Sequence, residues 1–200
     1  MTQCWVVDLG CGSGLKTRVI VEAIAASMPT TLFAIDISAA ALRQCAFTMS
    51  DLTAVKVTSF EGSYLPGLEA LRDSRQNDAP LLALFLGSSI SQFAVHEIEP
   101  FLGQVRALMR PGDAILIGAD GIRSLAEMIA QYNDVLGIEA AFDKNALNVV
   151  NRTLGGNFDI AALAARAGFV FQAEWRDAKT GFADTLLYCP ANNGTTDAHK

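Results

Sequence analysis

Positive charge is the first thing this sequence is short of. Fifteen Lys and Arg face 21 Asp and Glu, for a formal charge of -6, and no basic run occurs. Nucleic-acid binding needs clustered cations to neutralise phosphates, so no nucleic-acid partner is expected. Long apolar runs are missing too: stretches such as residues 80–87 and 114–118 are far too short to span a bilayer. Cysteine is sparse and unpaired in sequence. Cys4, Cys11, Cys45 and Cys189 show no metal-ligand spacing, so no metal site is expected, and reduced structural thiols fit them best. Trp5, Val6 and Val7 lead straight into an acid and a glycine loop rather than a secretory leader, so a cytoplasmic location is expected.

What is present is core-forming material. Apolar residues make up 51% of the chain and charged ones 18%, the balance of a globular protein. Residues 1–190 are expected to form one domain, with 191–200 a polar tail. Apolar strand-like runs at 4–9, 31–37, 55–60, 81–86 and 114–119 alternate with segments of helical spacing. The first of these segments should bury Leu15, Val19, Ile20, Ala23 and Ile24. The second is capped by Ser38 and should bury Leu42, Cys45, Ala46 and Met49. A third is expected around 68–71 and a fourth over 97–109, stopped by Arg110-Pro111-Gly112-Asp113. Strands separated repeatedly by helices require a parallel sheet covered on both faces. Beyond the fifth strand the pattern changes to helices through Leu125 to Tyr132, over 146–154, and over 160–167 with Asp159 as N-cap. Strands at 169–175 and 182–189 then read as a hairpin. The expected fold is a doubly wound, mostly parallel seven-stranded α/β sheet, Rossmann-like, closed by an antiparallel hairpin.

Asp8-Leu9-Gly10-Cys11-Gly12-Ser13-Gly14 lies between the first strand and the first helix. Glycines there permit a tight turn and close approach of a ligand to the backbone, beside the helix N-terminal amides. The spacing puts Leu15 where a dinucleotide loop needs its third glycine, which argues against a nicotinamide oxidoreductase. Asp36 ends the second strand, 22 residues beyond Gly14, where a carboxylate can accept hydrogen bonds from both ribose hydroxyls. The pair suggests an adenosine cofactor without a pyrophosphate, and S-adenosylmethionine fits. Asp8 would face the cofactor's methionyl end. Lys16, unfavourable next to the helix dipole's positive end, would be offset by the cofactor's carboxylate.

Further strings carry a resemblance. Phe85-Leu86-Gly87-Ser88-Ser89-Ile90, Arg110-Pro111-Gly112-Asp113, Gln131-Tyr132-Asn133-Asp134, Val150-Asn151-Arg152-Thr153-Leu154 and Asn157-Phe158-Asp159 occur in order after the glycine loop. Together they make the chain similar to the histidine-specific N-methyltransferases that begin ergothioneine biosynthesis. The wider family includes fungal enzymes acting on prenylated tryptophan, so a histidine-like or tryptophan-like acceptor is implied. By the resemblance Gly10, Lys16 and Asp36 bind S-adenosylmethionine; Gly12 and Gly14 of the same loop, and Leu86 and Gly87 after the fourth strand, are expected to line the same cofactor site. Ser63 and Tyr64 lie against the adenine, where the family usually has an acid followed by an aromatic. Gln92 stands where the family holds the amino-acid substrate with an asparagine, Ser88 is a neighbouring polar contact, and Tyr132 matches a tyrosine of the acceptor site.

Two departures accompany the match. The family's N-terminal region has no counterpart ahead of Cys4, and the insertion that completes the histidine pocket has none between Asp159 and Ile160. The expectation is a shortened member. Its open active-site face leaves room for a homodimer or a partner chain, and a non-catalytic or partner-dependent binding domain is the alternative. In an active enzyme Tyr132 would orient the amine. A tyrosine is a poor base at neutral pH, so the proton would leave through water. His96 reads as a solvated histidine, and Phe93 as packing.

Overall fold

The computed structural model describes residues 3–75, 78–87, 89–119, 159–178 and 182–191. Five parallel strands are β1 (Cys4–Leu9), β2 (Thr30–Asp36), β3 (Val55–Glu61), β4 (Leu81–Phe85) and β5 (Ala114–Ala119). Helices α1 (Leu15–Ala25), α2 (Ala39–Thr48), α3 (Tyr64–Ser74) and α4 (Val95–Leu108) connect them, with a 3-10 turn at Ser89–Gln92 ahead of α4. Helix α5 (Ile160–Arg166) then leads to the hairpin β6 (Val170–Arg176) and β7 (Ala183–Tyr188). The sheet order is β3-β2-β1-β4-β5-β7-β6, with β7 antiparallel to β5 and to β6. This is the expected doubly wound sheet with its antiparallel close. The chain reverses direction of winding between β1 and β4, and in open α/β sheets ligands bind at that point, outside the carboxyl ends of the strands.

Two apolar layers sandwich the sheet. Val7, Leu9, Phe85, Ile115, Ile117 and Leu187 pack on one side with α3, α4 and α5; Val6, Leu32, Ala34 and Leu84 pack on the other with α1 and α2. The alternation along each strand follows from the period of two. Ser38 and Asp159 cap their helices as expected, their side chains accepting from Ala41 N and Ala162 N. Helices α3 and α4 begin earlier than their apolar spacing suggested. Glu97 accepts from Ala94 N, which ties down the first turn of α4.

The buried stripe of α1 departs from expectation. Leu15 is 65% and Val19 71% exposed, and Ala23 is exposed as well. The helix instead turns Thr17 and Val21 inward, with Ile20 and Ile24 at the margin. A polar contact sets this rotation: the Thr17 hydroxyl donates to the buried carboxylate of Asp8. Leaving that carboxylate unbonded would cost more than exposing two aliphatic side chains. The expected helices between Leu125 and Leu154 lie outside the described residues, as do residues 192–200 of the expected tail.

Candidate functional site

Gly10, Gly12 and Gly14 all have positive φ, at 86°, 51° and 73°. The loop closes on itself and on β2: Gly10 N and Cys11 N donate to Ile35 O at 2.9 and 3.1 Å, and Gly14 N donates to Cys11 O at 2.9 Å. The amides of these glycines are therefore spoken for. Their contribution is a surface without side chains. Gly14 also seats the loop on α2, since a Cβ there would lie 2.8 Å from Cys45 Sγ and 3.2 Å from its Cα.

Asp36 stands at the carboxyl end of β2, half-buried. Its Oδ2 accepts from Gly12 N at 3.0 Å and its Oδ1 from Ser38 N at 2.9 Å. Both contacts fix the carboxylate's orientation and leave each oxygen a second acceptor position. Asp8 is buried beneath the loop. Burial pushes its carboxyl up to about 6, the Thr17 hydrogen bond pulls against that, and the charge of Asp36 adds to the rise.

Tyr64, the first residue of α3, reaches back over the loop, with its hydroxyl 3.4 Å from the position of a Gly10 Cβ. Its ring meets Phe85 edge-on at 5.3 Å. Burial, then Asp36 and Asp8, raise its phenol above the ordinary value. Ser63 is the N-cap residue of α3 but makes no side-chain cap bond and is exposed. Lys16 runs from the first turn of α1 to the end of β4, where its Nζ lies 2.9 Å from the position of a Gly87 Cβ. Gly87 has a φ of 76°, and Leu86 beside it packs against the layer formed with α1 and α2. The structure thus brings Asp8, the loop glycines, Lys16, Asp36, Tyr64 and Gly87 to one rim of the sheet.

Gln92 faces a cleft of about 710 Å³ shared with Tyr64, Leu65, Phe93, His96, Glu97, Pro100, Phe101 and Gln104. Phe93 packs on Phe101 at 4.7 Å and on Phe85 at 6.3 Å, the packing role expected of it. His96 is exposed. Ser88 and Tyr132 lie outside the described residues. Among the described residues no group of His, Cys, Asp or Glu could hold a metal ion, and no helix is long and apolar enough to cross a membrane.

Sequence reasoning missed two side chains here. Ile37 follows Asp36 directly and is 78% exposed, an aliphatic surface at the edge of the site. Its signal was the Asp-Ile pair at a strand end, passed over because Ile37 was counted into the strand. Asp184 lies across Gly118 on β5. Nothing near it in sequence marks it, because its place depends on the β5–β7 register.

Residues 1–180 match the family described as histidine-specific methyltransferase, SAM-dependent. A histidine N-alpha-methyltransferase of Mycobacterium tuberculosis is 30% identical over 177 residues, covering 87% of this chain and 52% of that protein. Ergothioneine biosynthesis protein 1 of Neurospora crassa is 28% identical over 151 residues, covering 75% of this chain and 17% of the fungal protein. The chain spans about half the length of the mycobacterial relatives it matches. Among solved structures, human N-acetylserotonin methyltransferase in complex with SAM superposes with a TM-score of 0.54 at 15% identity, over 94% of this chain and 48% of that one. The mitomycin 7-O-methyltransferase MmcR gives 0.57 at 12% identity, over 93% and 49%. These two share the fold. With a match that runs through nine-tenths of its length, the chain belongs to the histidine-specific, SAM-dependent methyltransferase family.

Proposed function

We propose that this chain binds S-adenosylmethionine along the rim from Asp36 to Lys16 and supports methyl transfer to the amine nitrogen of a histidine-like amino acid. The observation that carries the reading is the order of groups along that rim. A carboxylate fixed by two backbone amides stands at one end, a side-chain-free turn lies in the middle, and an ammonium stands at the other. That order suits a ribose, a sulfonium-linked tail and a terminal carboxylate. Exposed Ile37 offers an apolar face for the adenine, with Ser63 and Tyr64 as its other neighbours. The residues present therefore fit the cofactor.

When bound, the cofactor supplies an electrophilic methyl group on a sulfonium. The chain's own part is positioning and electrostatics, which for well-oriented reactants lowers a barrier by about 7–11 kcal/mol. Asp36 holds the sugar and Lys16 the carboxylate. Asp8, kept buried by Thr17, is a negative charge under the tail that favours its ammonium. Gln92 offers its amide to the amino-acid acceptor, with Ser88 as a further polar contact and Tyr132, by family likeness, orienting the amine. The amine proton leaves to water. The enzyme works on small metabolites in the cytoplasm.

A second reading is a cofactor-binding domain whose acceptor pocket is completed by a second copy or a partner chain, since Gln92 faces a cleft that is open to the surface. One experiment separates the two. Purified chain is incubated with methyl-labelled cofactor and L-histidine, and its mass is followed by sedimentation. Methylated histidine from a monomer supports the first reading. Cofactor binding without turnover, or turnover confined to an oligomer, supports the second. No cofactor binding contradicts both.

A further inference from the structure

We propose that Asp184 is the carboxylate that receives the positively charged group of the acceptor, an assignment that rests on the methyltransferase reading above. Strand β7 runs antiparallel to β5, so its first residues stand at the carboxyl ends of the parallel strands, where ligands bind in open α/β sheets. Asp184 pairs with Gly118 in the register. Ala183, Thr185 and Leu187 are buried on one face of β7, and Asp184 takes the opposite face, half-buried.

Gly118 creates the room. The Oδ1 of Asp184 lies 2.8 Å from where a Gly118 Cβ would be, and the ring of Phe182 lies 3.1 Å from the same point. Any side chain at position 118 would push the carboxylate off the rim. Among the described residues the positive charge that acts on Asp184 is Lys16, which opposes the penalty of its burial. Lys16 itself reaches only to Gly87, at the end of β4.

Along the rim the Lys16 ammonium at β4 therefore stands between two carboxylates, Asp8 at β1 and Asp184 over β5, with Asp36 beyond Asp8 at β2. Once Lys16 is engaged by the cofactor's carboxylate, Asp184 loses part of the positive field that offsets its burial. An acceptor ammonium restores that field. A half-buried carboxylate in this position favours a cation over a neutral isostere and draws the acceptor to the β5 side of the cofactor, away from Asp36.

The test is calorimetry on the full chain saturated with S-adenosylhomocysteine, titrated with L-histidine and with imidazolepropionate, which lacks the ammonium group. Wild type should prefer histidine. Asp184→Asn should lower histidine affinity about ten- to a hundredfold and leave imidazolepropionate and S-adenosylhomocysteine within about twofold. Asp184→Glu, which keeps the charge, should keep the preference. Unchanged histidine affinity in Asp184→Asn overturns the assignment while the methyltransferase reading stands. Equal losses for histidine and S-adenosylhomocysteine also overturn it, by placing Asp184 with the cofactor. If wild type binds S-adenosylhomocysteine but neither acceptor, the histidine reading falls and this assignment falls with it.

Discussion

Gly12 and Gly14 both have positive φ, yet a side chain meets different surroundings at each. At Gly12 nothing lies within 4 Å, whereas at Gly14 the Sγ and backbone of Cys45 are in the way. Gly12→Ala should cost only about 1 kcal/mol, the left-handed penalty alone. Gly14→Ala should cost more than about 2 kcal/mol, because backbone must move as well. Urea unfolding of the two variants measures the gap. Asp8 gives a pH signature. Its carboxyl is raised in the folded chain from 3.8 to about 6, so between those values only the folded state keeps the proton. The Asp8 contribution is most favourable below about pH 4. It weakens as pH rises to about 6, by on the order of 3 kcal/mol, and is level above that. Asp8→Asn removes this dependence. Its stability relative to wild type should therefore improve from pH 4 to 6 and then stay constant, and a flat difference would contradict the burial account. At this scale the rim positions of Asp36 and Lys16 were legible from the glycine loop and the end of the second strand, and that of Tyr64 through the family resemblance. Asp184 and Ile37 were not, since one needs the strand register and the other the true end of β2.

At the scale of elements, one buried ion pair joins three of them. Asp113 accepts from Arg75 Nη1 and Nη2 at 2.6 and 2.7 Å, from Leu81 N at 3.1 Å and from Arg110 N at 2.8 Å. It ties the end of α3 to the starts of β4 and β5. Removing one partner of such a pair leaves a buried charge without its counterion, so Asp113→Ala should lower stability by about 3–5 kcal/mol in denaturant unfolding. The sequence showed Asp113 as the last residue of a turn that stops α4, which it is. Its pairing with Arg75 was hidden, because that arginine lies 38 residues away, just beyond the end of α3. The rotation of α1 has the same cause. Apolar spacing alone favours Leu15 and Val19, and only the strand beneath shows that Thr17 must face Asp8.

For the molecule as a whole, the alternation of strands and helices was enough to predict a parallel sheet with a closing hairpin, because handed crossovers leave few other arrangements. It did not show that β7 inserts between β5 and β6, and that insertion is what carries Asp184 to the ligand-binding rim. The same topology gathers Asp8, Asp36, Lys16 and Tyr64 around one turn from four separate elements. The central claim is that this rim grips an adenosine through Asp36. The most direct measurement is calorimetric titration of S-adenosylhomocysteine into wild type and Asp36→Ala, both checked for equal melting temperature. The account predicts that affinity falls at least about tenfold, from the loss of hydrogen bonds to both ribose hydroxyls; equal affinity in the two proteins would contradict it.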